Sequence, residues 1–381
     1  MLAASNWDIF CRVIDNYGDI GVCWRLAADL AARGRTVRLW VDDPLPLRWM
    51  APGALDGNWP GVSVLRWQQS GELDFLARLP RANVIVEGFG CEIEPVYLAH
   101  HFINGACNGD CPGWINLEYL SAQGYAERSH LLPSPILQGP AGGQTRHFFF
   151  PGFSAPSGGL LREPDLLERQ ARFDARSWLS LLGVEANAGR LVSLFCYEPV
   201  LMPALLDRLR DADTRTQLLV TAGRAAAAVQ SWVADDATVR GGGTLGQFGS
   251  LSLIFLPTLS QRDFDHLLWS CDLNLVRGED SLVRALWANK PFVWQIYPQD
   301  DNAHHAKLAA VMQAISAPAS WRAFHHAWNG LSSTLPDWDL PQWHAASRSA
   351  RAQMLLQSDL TTRLLEFAGT IVASGPAPEN R

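Results

Sequence analysis

Ile9-Phe10-Cys11-Arg12-Val13-Ile14-Asp15-Asn16-Tyr17-Gly18-Asp19-Ile20-Gly21 passes from an apolar run into a turn of acids and glycines. Beyond it Val22, Leu26 and Leu30 recur at the spacing of one helix face. Strand, turn and helix in that order open a parallel α/β unit. Gly34 ends the helix, and residues 36–41, 62–67 and 83–87 read as further strands, so a parallel sheet with crossover connections is expected.

The rhythm breaks over residues 148–165, rich in Gly, Pro and Ser, and then restarts. Strands are expected at 191–197, 217–221, 251–256, 272–276 and 291–295, with helices at 202–210, 225–233, 261–270, 281–288 and 302–315. The fold class is therefore α/β, with two Rossmann-like parallel sheets and a cleft between them. The first domain is expected over 1–155, a linker over 156–185 and the second domain over 186–355, with a last helix near 358–372 returning to the first domain. Ligands of such sheets sit at the carboxyl ends of strands, which directs attention to the loops after Ile14, Phe195, Leu256 and Val276.

A chain of 381 residues, 48% hydrophobic and 18% charged, has the composition of a globular protein large enough for two cores. Its net charge of -7 argues against nucleic acid as a partner, since phosphate tracking needs a basic surface. No run approaches the roughly 18 apolar residues of a membrane span, and residues 1–10 carry no signal-peptide pattern, so no membrane association is expected. Seven scattered cysteines, several in apolar runs, read as reduced, packed thiols of a cytoplasmic protein. His100, His101, Cys107 and Cys111 do not match a standard zinc spacing, and Asp211-Ala212-Asp213 reads as solvated surface, so no metal or other cofactor is expected.

Two constellations carry chemistry. The first turn, followed by a strand and Asp42, resembles a dinucleotide fingerprint, but its glycines give G-x-x-G, and Asp15 and Asp19 stand where a pyrophosphate would lie. Paired carboxylates repel a diphosphate and suit a cation, a guanidinium above all, whose planar donors match them. The alternative is an Asx turn at Asp15 and a first-turn helix acid at Asp19. The second constellation, Arg277-Gly278-Glu279-Asp280-Ser281, runs from an apolar strand into a helix, where backbone N–H groups and Arg277 can hold a diphosphate without metal. Simple helix capping by Asp280 or Ser281 remains the alternative. Phe195 and Tyr197, two apart, are placed to stack on a base or to pack in the core.

Asp15 to Gly21, Ile115-Asn116-Leu117-Glu118-Tyr119-Leu120, Phe149-Phe150-Pro151-Gly152-Phe153, Ser193-Leu194-Phe195-Cys196-Tyr197 and Arg277 to Ser281, taken in this order, resemble the bacterial elongation factor P protein-arginine rhamnosyltransferase (EarP) family. The resemblance implies a GT-B glycosyltransferase with dTDP-β-L-rhamnose as donor. It implies inverting transfer to one arginine at a loop tip of elongation factor P, the acceptor protein. On the matching positions it implies Asp19 as general base, Asp15 as its partner in holding the acceptor and Glu279 as a third essential acid. Phe195, Tyr197 and Gln261 fall on thymidine-binding positions, and Arg277, Asp280 and Ser281 on the loop receiving ribose and diphosphate. Asn16, Tyr17 and Gly18 are expected to contribute to the donor. The family usually has an aromatic three residues before the glutamine, and here Thr258 stands there, with Phe255 nearby as a substitute. Competing readings are a GT-B transferase or epimerase using another nucleotide sugar, and an NAD-dependent dehydrogenase built on the first turn and Asp42.

Overall fold

The computed structural model describes residues 5–13, 17–102, 111–186, 189–235, 245–299 and 303–373. The chain divides into two compact units, Met1–Glu163 with Gln357–Arg381, and Pro164–Leu356.

The first unit is built on β1 (Asn6–Cys11), β2 (Thr36–Val41), β3 (Val62–Arg66), β4 (Val84–Gly88), β5 (Gly113–Leu117), β6 (Pro133–Pro135) and β7 (Thr145–Phe149), in the sheet order β3-β2-β1-β4-β5-β7-β6. Every neighbouring pair is parallel except β6 with β7. The helices are α1 (Gly18–Ala32), α2 (Leu47–Met50), α3 (Leu73–Leu76), α4 (Pro95–Phe102) and α5 (Gly124–Ser129). Strand alternation divides the apolar residues between two layers. Trp7, Ile9 and Cys11 join Cys23, Leu26 and Leu30 of α1 on one face, and Phe10 joins Trp40 and Tyr97 on the other. The second layer also buries an ion pair: both nitrogens of the Arg38 fork meet the Asp8 carboxylate, to which Tyr97 Oη donates. Burial pushes the Asp8 carboxyl up, and Arg38 opposes that shift.

The second unit begins with α6 (Leu166–Arg172) and α7 (Ala175–Leu181), within the stretch expected as a linker. Its strands β8 (Arg190–Leu194), β9 (Thr216–Val220), β10 (Leu245–Phe248), β11 (Leu251–Phe255), β12 (Leu273–Arg277) and β13 (Phe292–Gln295) lie in the order β10-β11-β9-β8-β12-β13, with β10 antiparallel and the rest parallel. Its helices are α8 (Met202–Arg210), α9 (Arg224–Asp235), α10 (Gln261–Ser270), α11 (Glu279–Ala288), α12 (Ala303–Ala314), α13 (Ala319–Trp328) and α14 (Leu340–Leu355). The last helix, α15 (Leu360–Ala373), belongs to the first unit. Its Leu360, Leu364 and Ala368, four apart, enter the same cluster as Trp24 and Ile115. A Cβ on Gly113 of β5 would sit 2.8 Å from Ile371 Cδ1, so the absence of a side chain there permits the helix to close on the sheet. Arg33, at the end of α1, fixes the entry to α15 through Asp359 (2.8 Å) and Thr362 (2.7 Å).

In each unit the strand order turns back at one point, β1 against β4 in the first and β8 against β12 in the second, and crevices at strand carboxyl ends open at such points. Five described cysteines are free and buried, whereas Cys111 is disulfide-bonded, a departure from the all-reduced reading. No described helix is long and apolar enough to cross a membrane.

Candidate functional site

The acidic turn leaves β1 at the switch point of the first unit. Asp15 and Asn16 lie outside the described residues. Tyr17 precedes α1, is about half exposed at 49%, and meets Trp49 edge-on at 5.9 Å. Gly18 opens the helix and Asp19 lies in its first turn, half-buried, where the helix dipole favours a carboxylate. Below it is a layer of thiols. Cys11 hydrogen-bonds Cys23, and that bond, burial and the nearby charge of Asp19 push the Cys11 thiol well up, so it is no nucleophile. Asp42, the acid a nicotinamide cofactor would need, instead accepts from the backbone N–H of Val13 (2.9 Å) and of Asp43 (2.8 Å).

The neighbouring strand ends of this unit carry a polar group that spacing did not single out. Glu87, buried at the end of β4, pairs with Arg146 at 2.8 Å. Asn116 Nδ2 donates to Glu118 Oε1 at 2.7 Å while its Oδ1 accepts from the Gly90 N–H at 3.1 Å. Burial raises the Glu118 carboxyl, with Asn116 and Arg146 opposing. Tyr119 stacks on Phe89 at 4.5 Å.

In the second unit two of the predicted residues, Phe195 and Tyr197, meet the guanidinium of a third, Arg277. β8 ends at Leu194, so Phe195 and Tyr197 belong to the following loop, and the alternation of a strand does not by itself align them. Arg277, at the end of the adjacent β12, does so by entering between them, 4.6 Å from each ring centroid. Its Nη1 donates to the Cys196 carbonyl at 3.3 Å. Burial lowers the Arg277 pKa, countered by Tyr197 and Cys196, and a guanidinium remains a cation after such a displacement. The Tyr197 hydroxyl is pushed up by burial, so it stays protonated. Gln295 of β13 accepts from the Tyr197 N–H at 2.8 Å, and Phe264 of α10 meets Phe195 edge-on at 5.2 Å.

Gly278 heads α11 with φ 71° and ψ -177°, a conformation that L side chains rarely adopt. It caps the helix with no side chain, and Trp294 Nε1 holds its carbonyl at 2.8 Å. Ser281 turns its hydroxyl back to the Arg277 carbonyl, so it does not supply the alternative helix cap. Asp280 is half-buried in the first turn, as is Glu279, whose carboxylate is paired with Lys307 of α12. Gln261 is the first residue of α10, behind a Ser260 cap that accepts from Asp263 N–H at 3.1 Å. Thr258 is exposed, and Phe255 is 36% exposed at the end of β11. Asp265 of α10 and Arg284 of α11, both almost fully buried, form a forked ion pair at 2.8 and 2.6 Å that sets the two helix starts relative to each other. A fixed cation under an uncapped helix start can receive an anion; the aromatic rings brace that cation.

The weaker motifs resolve into structure. Asp211 and Asp213 are exposed, and Arg210 lowers the Asp211 pKa. His101 stacks on Tyr97 at 4.2 Å and accepts from Ala82 N–H at 3.4 Å, while Cys107 lies outside the described residues. Among the described residues no group of three or more His, Cys, Asp or Glu could hold a metal. His304 of α12, not part of these motifs, is buried and accepts from the Gln299 N–H at 3.1 Å.

Comparison with known proteins bears on this arrangement. A family model described as Elongation-Factor P (EF-P) rhamnosyltransferase EarP matches residues 7–369. The protein-arginine rhamnosyltransferase of Pseudomonas aeruginosa is 42% identical over 390 residues, covering 95% of this chain and 98% of its own. That of Neisseria meningitidis serogroup B is 39% identical over 308 residues, 79% of this chain and 76% of its own. A solved structure concerning EarP-mediated arginine glycosylation of translation elongation factor EF-P is 31% identical with a TM-score of 0.65, covering 96% of this chain and 99% of that one. The two α/β sheets are those of the GT-B class, as expected. A match spanning nearly every residue, with this level of identity, makes the chain a member of the elongation factor P rhamnosyltransferase family of glycosyltransferases.

Proposed function

We propose that this protein transfers L-rhamnose from dTDP-β-L-rhamnose to an arginine side chain of elongation factor P, with inversion at the sugar carbon and without a metal. The observation that carries the donor half of this reading is Arg277, clamped between Phe195 and Tyr197 at the root of a helix headed by Gly278. A cation and a helix start supply in fixed form the positive charge that a metal would otherwise bring to a leaving diphosphate. Asp280 and Ser281 take the ribose and diphosphate side, and Gln261 the thymine. Phe195 already gives one ring face to Arg277, so base stacking is confined to its other face.

The acceptor half rests on Asp15 and Asp19, and Asn16, Tyr17 and Gly18, between them in sequence, are assigned to the donor. An arginine nitrogen attacks the anomeric carbon from the side opposite the diphosphate; the C–N bond forms, the C–O bond to phosphate breaks, and dTDP leaves with the bonding electrons. The nitrogen must lose a proton, yet a guanidinium pKa near ~13.8 lies roughly ten units above that of a carboxylic acid. Asp19 therefore cannot deprotonate it beforehand. The carboxylates orient and polarise the guanidinium, and Asp19 takes the proton as the new bond makes the nitrogen acidic. Glu279 is assigned to the sugar. With a translation factor as acceptor, the enzyme would act in the cytoplasm.

Intact-mass analysis of elongation factor P after incubation with the protein and dTDP-β-L-rhamnose tests the reading. The acceptor should gain the mass of one deoxyhexose residue, and an arginine-to-lysine acceptor should gain none. Asp19→Asn should lose turnover while still binding nucleotide; near-normal turnover in that variant would remove Asp19 from its role.

A further inference from the structure

Glu279 opens α11 beside Gly278, and its carboxylate is ion-paired with Lys307, 28 residues later on α12. This is no solvated surface pair: the side chains of Lys307 and Glu279 are only 20% and 21% exposed. The lysine also stands on a firm base, because Leu308, Val311 and Met312 of the same helix are buried. An acid at this position poses a problem. A helix start that receives a diphosphate has no electrostatic use for a bare carboxylate next to it, which would repel the ligand. Lys307 removes the objection.

We propose that Lys307 is a positioning residue for the transfer: its ammonium neutralises Glu279, so that the acid can stand beside the sugar diphosphate and accept from a sugar hydroxyl. This rests on the donor reading proposed above. It separates two properties that a lone acid would bring together, hydrogen-bond acceptance and net negative charge.

The test is a double-mutant cycle read by calorimetric titration with dTDP and by steady-state kinetics. Lys307→Met should weaken dTDP about tenfold, the effect of one uncompensated charge at partly screened distance, and lower kcat while leaving KM for the acceptor protein unchanged. Lys307→Arg should restore most of both. In a Glu279→Gln background the Lys307→Met substitution should cost little affinity, because no negative charge remains to be neutralised. A tenfold loss in both backgrounds would mean that Lys307 contacts the nucleotide itself, and an unchanged affinity and kcat in Lys307→Met would mean that it does nothing; either overturns the proposal. Wild-type protein that binds UDP but not dTDP overturns the donor reading alone, and the same cycle read with UDP still decides the role of Lys307. Protein that binds neither nucleotide overturns both.

Discussion

Acidification should loosen the second unit through a single histidine. His325 of α13 is fully buried, with its Nε2 accepting from the Trp294 N–H at 2.9 Å and its Nδ1 3.0 Å from the Trp321 carbonyl. That pattern requires the neutral ring with the proton on Nδ1. Burial, with a smaller push from His326, lowers its pKa from 6.5 to about 4. The unfolded chain binds a proton near pH 6.5 and the folded one only near pH 4, so between these values unfolding takes up a proton. Stability is therefore complete above about pH 6.5 and falls as pH drops toward 4. At about 1.36 kcal/mol per pH unit the full loss is about 3 kcal/mol. The consequence reaches the site, since Trp294, whose backbone N–H His325 accepts, holds the Gly278 carbonyl with its indole. Urea unfolding between pH 8 and pH 4 would measure this in wild type and His325→Gln, whose amide accepts the same bond at every pH. The variant should be about 1–2 kcal/mol less stable at pH 8 but show a flatter decline. His101 and His130, lowered by burial to about 3 and about 4, contribute equally to both proteins and cancel in the comparison. Parallel declines in the two proteins would refute the assignment to His325.

Gly278→Ala should cost about 1–3 kcal/mol in backbone strain, since the added Cβ would meet only Tyr197 Oη at an ordinary 3.7 Å. Calorimetric titration should show nucleotide affinity reduced by about tenfold or more, and wild-type affinity would mean the loop is indifferent to this peptide. Asp265→Asn should destabilise the second unit by about 3–5 kcal/mol in urea unfolding, because Arg284 is left buried with its partner's charge removed. Leu364→Ala, fully buried on α15, should cost about 2–5 kcal/mol and expose the first unit's sheet to faster hydrogen exchange at Gly113–Leu117.

The parts legible in the sequence are those fixed by local chemistry. α8 and α10 lie at their expected bounds because Pro203 marks one start and the Ser260 cap the other. β1 begins three residues before the apolar run that marks it: Asn6 and Asp8 look like loop residues, yet Asp8 is neutralised across the sheet by Arg38, a pairing no local pattern reveals. β5, Gly113–Leu117, contains a glycine and an asparagine that disguise a strand, and both are there for long-range reasons, Gly113 for α15 and Asn116 for Glu118 and Gly90. Within the proposed donor site, Phe195, Tyr197 and Arg277 are identifiable as residues, but the clamp they form depends on β8 and β12 being neighbours. Lys307, Trp294 and Gln295 carried no motif and are recognisable only by what they touch.

The route of the chain has a biosynthetic consequence. A ribosome completes the second unit without a break, whereas the first, whose seven strands all come earlier, waits for the segment after Leu356 before Leu360, Leu364 and Ala368 can seal its apolar layer. During that interval the nascent protein carries a finished second unit and an open-faced first one. Quality control acting on the unsealed sheet would thus act on incomplete chains before the last helix closes it.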